Sequence, residues 1–162
     1  MKKITTTKPM IKLVGLAKRT SNHLEQNAQT ANIGPLVQHY FSNGIANSIK
    51  DRVSPGVTYS VYTDYESDHH GEYTYFIGEE VSSINDIPEG LRMITIPQSK
   101  YQRFTTQAGA MPAIVIQAWQ SIWQMNPEDL GGTRRFIADF EIYDERAKDP
   151  SQSVVDIYIG IE

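Results

Sequence analysis

Along residues 136–143, side chains alternate with a period of two. Phe136, Ala138, Phe140 and Ile142 share one face, and Ile137, Asp139, Glu141 and Tyr143 share the other. No Gly or Pro interrupts the stretch, so it predicts a β-strand. The same reading predicts a strand over 8–19, centred on Ile11, Leu13 and Val14, followed by a polar loop or weak helix over 20–32. Leu36, Val37, Tyr40 and Phe41 stand at helical spacing behind Pro35, which suits the first helical position, and the helix is expected to reach about residue 49. Ser54-Pro55-Gly56 marks a turn, and strands follow over 58–65 and 72–78, joined by the loop Asp68-His69-His70-Gly71. The polar connector 81–90 comes next. Strand segments over 91–96 and 101–106 are broken near Pro97. Pro112 opens a second helix with a wide apolar stripe through Ile114, Val115, Ala118, Trp119, Ile122 and Trp123, which Asn126-Pro127 ends. After the strand 136–143 and a loop over 144–152, the strand 154–161 places Val155, Ile157, Ile159 and Ile161 on one face.

Each half therefore reads strand, helix, strand, strand. Thr63-Asp64-Tyr65-Glu66 and Ala138-Asp139-Phe140-Glu141 sit in the first strand after their helices and look like matching segments. The expectation is an α+β fold of duplicated β-α-β-β units, about 8–80 and 91–161, within one domain of 162 residues. Such units place the helices on one face of an antiparallel sheet and leave a pocket between the halves.

Composition narrows the function. A net charge of −4 argues against nucleic acid as the main partner. The chain has no Cys, which excludes disulfides, thiol catalysis and Cys-ligated zinc and fits a reducing cytoplasm. The apolar run 10–17 contains Lys12 and Gly15 and is too short to span a membrane or act as a signal peptide. A soluble cytoplasmic protein is expected.

The sharpest chemical signal is Glu141, a carboxylate between Phe140 and Ile142 that shares its face with Tyr143. In low-dielectric surroundings it needs a cation, donors or a proton, and a ligand is one source of the cation; the alternative is an exposed Glu on an edge strand. Trp119 and Trp123, at i and i+4, suit either core packing or a pocket wall. Asp68-His69-His70 lacks a third clustered ligand beyond adjacent residues that a strand would point to opposite faces, so no metal site is expected. His23 and His39 stand alone. No phosphate loop, dinucleotide fingerprint, nucleophile elbow or zinc-protease motif appears, and no cofactor is expected.

Leu91-Arg92-Met93-Ile94-Thr95-Ile96-Pro97, then Lys100-Tyr101, then the helix with Trp119 and Trp123, then Asp139-Phe140-Glu141-Ile142-Tyr143, then Val155-Asp156-Ile157-Tyr158-Ile159 form an ordered series. In this order they resemble the GyrI-like effector-binding domain, the ligand-sensing module of many bacterial transcription activators. The resemblance runs from about Ile11 to Ile161. It implies a pocket for amphipathic cationic small molecules, with Glu141 as the buried counter-charge and aromatic side chains stacked on the ligand. The available aromatics are Tyr143, Trp119, Trp123, Tyr101, Phe104, Tyr75 and Tyr62, and the sequence does not choose among the last four. The resemblance begins almost at the start of the sequence, so no preceding DNA-binding module is expected; the chain looks like the stand-alone members, including those on mobile gene cassettes, with no direct nucleic-acid contact expected and a DNA-binding or other protein partner left open. A small hydrolase of reactive electrophiles, with Glu141 and Tyr143 in acid–base roles, and a protein-binding gyrase-inhibitor-like factor are the alternatives within the family.

Overall fold

The computed structural model describes residues 1–162. Its strands are β1 (Lys2–Lys8), β2 (Ile11–Ser21), β3 (Thr58–Thr63), β4 (Glu72–Glu80), β5 (Arg92–Ile96), β6 (Ser99–Thr105), β7 (Ala138–Tyr143) and β8 (Asp156–Ile161). They form one antiparallel sheet in the order β1-β6-β8-β7-β3-β4-β2-β5. Strands β2, β4 and β3 of the first half meet β7, β8 and β6 of the second along the β3–β7 seam, where Ser60 pairs with Glu141. The α+β architecture expected from the repeated element order is present.

The leading strand of each half is exchanged. β1 precedes β2 in the chain but pairs with β6, and β5 precedes β6 but pairs with β2. Only Pro9-Met10 and Pro97-Gln98 make these connections. A two-residue link carries the chain at most about 11 Å. In a flat sheet, β1 and β2 would lie roughly 29 Å apart, six strand spacings. The sheet must therefore curl until its ends approach. The inner face of the curl holds an apolar core that includes Leu13, Val61, Phe76, Tyr101, Phe140 and Tyr158.

The opposite face carries the helices: α1 (Asn22–Glu25), α2 (Ile33–Ser42), α3 (Ala113–Trp123) and α4 (Pro127–Leu130). α3 buries Val115, Ala118, Trp119 and Ile122 against Val155, Ile157, Ile159 and Ile161, the face that alternation in the last strand picked out. α2 is held less deeply. Only Tyr40 is buried, against Tyr73, Tyr75 and Ile77 of β4, and Phe41 is left exposed.

Several elements differ from the sequence reading, each for a local reason. β1 was not expected because Lys2-Lys3-Ile4-Thr5-Thr6-Thr7-Lys8 has no apolar face; it is an exposed edge strand held by its ladder to β6. α2 starts at Ile33, which puts Pro35 third in the helix. Its first free N–H groups, those of Asn32 and Ile33, donate to the Glu25 carboxylate at 2.8 and 3.1 Å. It stops at Ser42 because Gly44 turns left-handed (φ 57°), and a short 3-10 turn, Ile45–Ser48, follows. Pro112 lies just outside α3 at its N-cap. Asn126-Pro127 follows α3 by opening α4, where Asn126 Oδ1 accepts from Asp129 N–H at 2.8 Å. Phe136 is not in the strand: its backbone is left-handed (φ 54°) and β7 begins at Ala138. The two quartets are not equivalent either, since Thr63 closes β3 and Asp64 leaves it with φ 49°, whereas Ala138 opens β7.

One close approach is decided by glycine. Gly15 and Gly78 pair across β2 and β4, and a Cβ on either would lie 1.9 Å from Ile77 O or 2.2 Å from Val14 O. Backbone cannot swing aside as a flexible side chain can. Gly78→Ala is therefore expected to destabilise the fold by about 1–3 kcal/mol, the usual cost of overpacking. A urea titration that left the midpoint unchanged would show that the strands can separate freely here.

Candidate ligand-binding site

A cavity of about 920 Å³ opens on the helix-bearing face, between α2 and α3 and over the central strands. Period-two alternation builds its floor. Thr58, Ser60 and Tyr62 of β3, Tyr73, Tyr75 and Ile77 of β4, and Glu141 and Tyr143 of β7 face the cavity, while Tyr59, Val61, Phe76 and Phe140 between them face the inner core. Val37 and Phe41 of α2 form one wall and Val115, Ile116 and Trp119 of α3 the other.

Glu141 lies at the centre of this floor and is 2% exposed. Its Oε2 accepts from Tyr62 Oη at 2.8 Å and from Trp119 Nε1 at 2.7 Å, and its Oε1 accepts a short hydrogen bond from Tyr143 Oη. All three donors are neutral. Burial pushes the carboxyl above its ordinary value, and the hydrogen bonds from Tyr143, Trp119 and Tyr62 oppose that rise only in part. Burial, then the charge of Glu141, holds the Tyr62 and Tyr143 hydroxyls far above their ordinary values, so both remain donors.

Other buried carboxylates are treated differently. Asp139 meets Arg134 at 2.8 Å, Asp156 meets Arg146 at 2.7 Å, and Glu79 faces Arg52 at 3.4 Å. These three and Glu141 are the buried acids of the chain, and Glu141 alone has no cation.

Aromatic rings surround the carboxylate. Tyr62 meets Trp119, Tyr75 and Tyr73 edge to face at centroid distances of 5.1, 5.5 and 5.6 Å. Tyr75 Oη shares a hydrogen bond with Ser60 Oγ at 2.8 Å. Trp119 is both a core residue and a cavity wall, because its indole packs under α3 while its N–H reaches Glu141. Trp123, one turn on, lies at the rim, half exposed and stacked on His69 at 5.9 Å.

Of the residues singled out from the sequence, Glu141, Tyr143, Trp119, Trp123, Tyr75 and Tyr62 line this cavity, and Tyr101 and Phe104 do not. Tyr101 points into the inner core against Phe140, and Phe104, of opposite parity on β6, is buried beneath α3. The sequence reading passed over Tyr65, Tyr73 and Arg134. Tyr73 shares its face with Tyr75 and could have been found by alternation. Tyr65 and Arg134 lie outside strands, where no periodicity marks them. Asp68, His69 and His70 sit in a turn rather than a strand, so their donor atoms lie within 4.8 Å of one another despite being adjacent in sequence.

Residues 4–161 of the chain match a family described as Cass2, integron-associated effector binding protein. The chain belongs to this family. As a member, it is an effector-binding domain. It is 29% identical to YobU of Bacillus subtilis (strain 168) over 151 residues, 93% of this chain and 92% of that protein. It is 32% identical over 131 residues to the transcriptional regulator BrlR of Pseudomonas aeruginosa, a match that takes in 80% of this chain and 46% of that longer protein. Among solved structures it resembles the integron cassette protein VCH_CASS2 from the mobile metagenome of Vibrio cholerae, with a TM-score of 0.77 and 26% identity over 99% of this chain and 95% of the other. The structure of SAV2435 bound to tetraphenylphosphonium has the same fold, with a TM-score of 0.78 and 20% identity over 100% of this chain and 94% of that one. No helix of the domain is long and apolar enough to cross a membrane.

Proposed function

We propose that this effector-binding domain takes amphipathic aromatic monocations in the cavity over β3 and β7, with Glu141 as the counter-charge, and that it acts as a cytoplasmic sensor or sequestering module that releases its ligand unchanged. The observation that carries this reading is the lone Glu141. Three buried acids each have an arginine, and the fourth faces the cavity with only neutral donors. A buried carboxylate without a cation is costly, and a bound cation would remove that cost. Aromatic faces beside it supply cation–π contacts of roughly 0.5–2 kcal/mol each. Walls of aromatic and aliphatic side chains set few directional demands, so many ring systems of similar size should fit.

The test is a titration with two ions of one shape and opposite charge. Tetraphenylphosphonium is expected to bind and tetraphenylborate to be rejected. Equal affinities would overturn the reading, since they would show that the cavity selects bulk and not charge. The raised Glu141 carboxyl adds a pH signature. The cation needs the ionised form, so affinity should be full above the ligand-free carboxyl's titration range and fall about tenfold per pH unit below it. Calorimetry in buffers of different ionisation heat should also detect proton release near that range.

A further inference from the structure

The cavity has a second pole that the Glu141 reading leaves unused. Arg134 lines the same cavity, and its side chain is 8% exposed. Its Nη2 donates to Asp139 Oδ2 at 2.8 Å, and Tyr65 Oη donates to the same oxygen at 2.7 Å. Asp139 Oδ1 accepts from the N–H of Gly160 at 2.8 Å, so this carboxylate is fully engaged. The guanidinium lies 4.3 Å from the Phe136 ring centroid and 5.7 Å from that of Trp119. Arg134 Nε is buried and has no hydrogen-bond partner.

Trp119 joins the two poles, since its N–H is spent on Glu141 and its ring lies beside the guanidinium. A ligand held at Glu141 and packed on the indole is thus carried to Arg134. What Arg134 can offer it is set by Asp139. The pair is neutral overall, so it presents an unused N–H donor rather than a net positive charge. A neutral acceptor oxygen suits that donor. A carboxylate on the ligand would instead meet the nearby charges of Asp139 and Glu141.

We infer that the cavity prefers aromatic cations that also carry a neutral hydrogen-bond acceptor, a carbonyl or ether oxygen, which Arg134 receives at the far side of Trp119 from Glu141. This rests on the proposed cation site and names the class of ligand within it.

The experiment compares triphenylphosphonium cations whose fourth ring carries a 4-acetyl group or the isosteric 4-isopropenyl group, with tetraphenylphosphonium as the parent. The wild-type protein is expected to bind the acetyl compound roughly 3- to 15-fold more tightly than the isopropenyl one, the worth of one hydrogen bond. Two variants are compared. Arg134→Lys keeps a cation for Asp139 but loses the fork of guanidinium N–H donors at the cavity wall, and the double variant Arg134→Met, Asp139→Asn removes both charges together. Each should reduce the ratio to about one while leaving tetraphenylphosphonium affinity within roughly threefold of wild type, less than one hydrogen bond's worth. A wild-type ratio near one, or a ratio that survives in both variants, would overturn the inference. So would equal losses for all three cations, which would show that Arg134 only supports the fold. Tetraphenylphosphonium affinity and its dependence on Glu141 report separately on the cation site. If that affinity holds while the ratio is one, only the acceptor pole falls. If none of the three cations binds, both readings fall together.

Discussion

Glu141→Gln is expected to weaken tetraphenylphosphonium binding by roughly 10- to 150-fold, the worth of a charge-assisted contact of about 1.5–3 kcal/mol. The substitution keeps shape and most hydrogen bonds. The amide oxygen can accept from Trp119 Nε1 and Tyr62 Oη, and the Tyr143 hydroxyl can turn to accept from the amide N–H where it now donates. A neutral ligand such as triphenylphosphine oxide should lose much less. Calorimetry of both ligands on both proteins decides the matter. Equal losses would mean that Glu141 shapes the cavity without neutralising charge, and no loss would remove it from the site.

The same substitution predicts a gain where ligand-free stability is measured. Burial raises the folded-state carboxyl of Glu141 above its unfolded value, so its favourable contribution is complete below the unfolded value and is lost as pH rises through the folded one. At neutral pH the ionised group is a burden that Gln does not carry. Glu141→Gln should therefore unfold at higher urea than wild type at pH 7, with the difference shrinking as pH falls below the folded-state value. A difference that grew toward acid would contradict the buried, uncompensated carboxylate.

Asp139→Ala should be the most damaging single change on β7, at about 3–5 kcal/mol. Asp139 is fully buried and accepts from Arg134, Tyr65 and the Gly160 backbone at once. Its loss strands a largely buried guanidinium and a main-chain N–H. It also frees the left-handed Phe136 segment, whose ring packs on both Arg134 and Tyr65. Replacing both charges, as Arg134→Met with Asp139→Asn, should cost much less than Asp139→Ala, because no charge is left without a partner. A urea series on the two proteins makes the comparison. A double variant as unstable as the single one would point to lost packing rather than the lone charge.

The two neighbouring acids of β7 show where the sequence stops being informative. Alternation placed Asp139 and Glu141 on one face, and the structure agrees. The flanking Phe140 and Ile142 make Glu141 the sharper of the two, but nothing in the strand says which of them the fold provides with a cation. Asp139 is neutralised by Arg134, five residues earlier, on a segment whose irregular backbone carries no periodic signal. Glu141 is left free because the groups that converge on it, Tyr62 from β3 and Trp119 from α3, are neutral and arrive from 79 and 22 residues away. The aromatics divide in the same way. Tyr62, Tyr75, Tyr101 and Phe104 look equivalent along the chain, and only the curl of the sheet and the placement of α2 and α3 send the first two to the cavity and the last two to separate cores.

The sequence by itself determined the succession of strands from β2 to β8, the two longer helices, the strand faces and the apolar stripe of α3, because these follow from local periodicity: a side chain on a strand or helix has its face set by its neighbours' spacing. It also marked Glu141 as anomalous, since a carboxylate flanked by Phe140 and Ile142 is unusual wherever it lands. The tertiary structure decided the exchange of β1 and β5, the curl that follows from their two-residue links, and the pairing that gives every buried acid but one an arginine. The strand exchange rests on pairing between residues far apart in the chain, and the ion pairs, separated by 5, 10 and 27 residues, use arginines outside the strands, so no local periodicity encodes either. The isolation of Glu141 among neutral donors is a consequence of which charges the fold brought together and which it left apart.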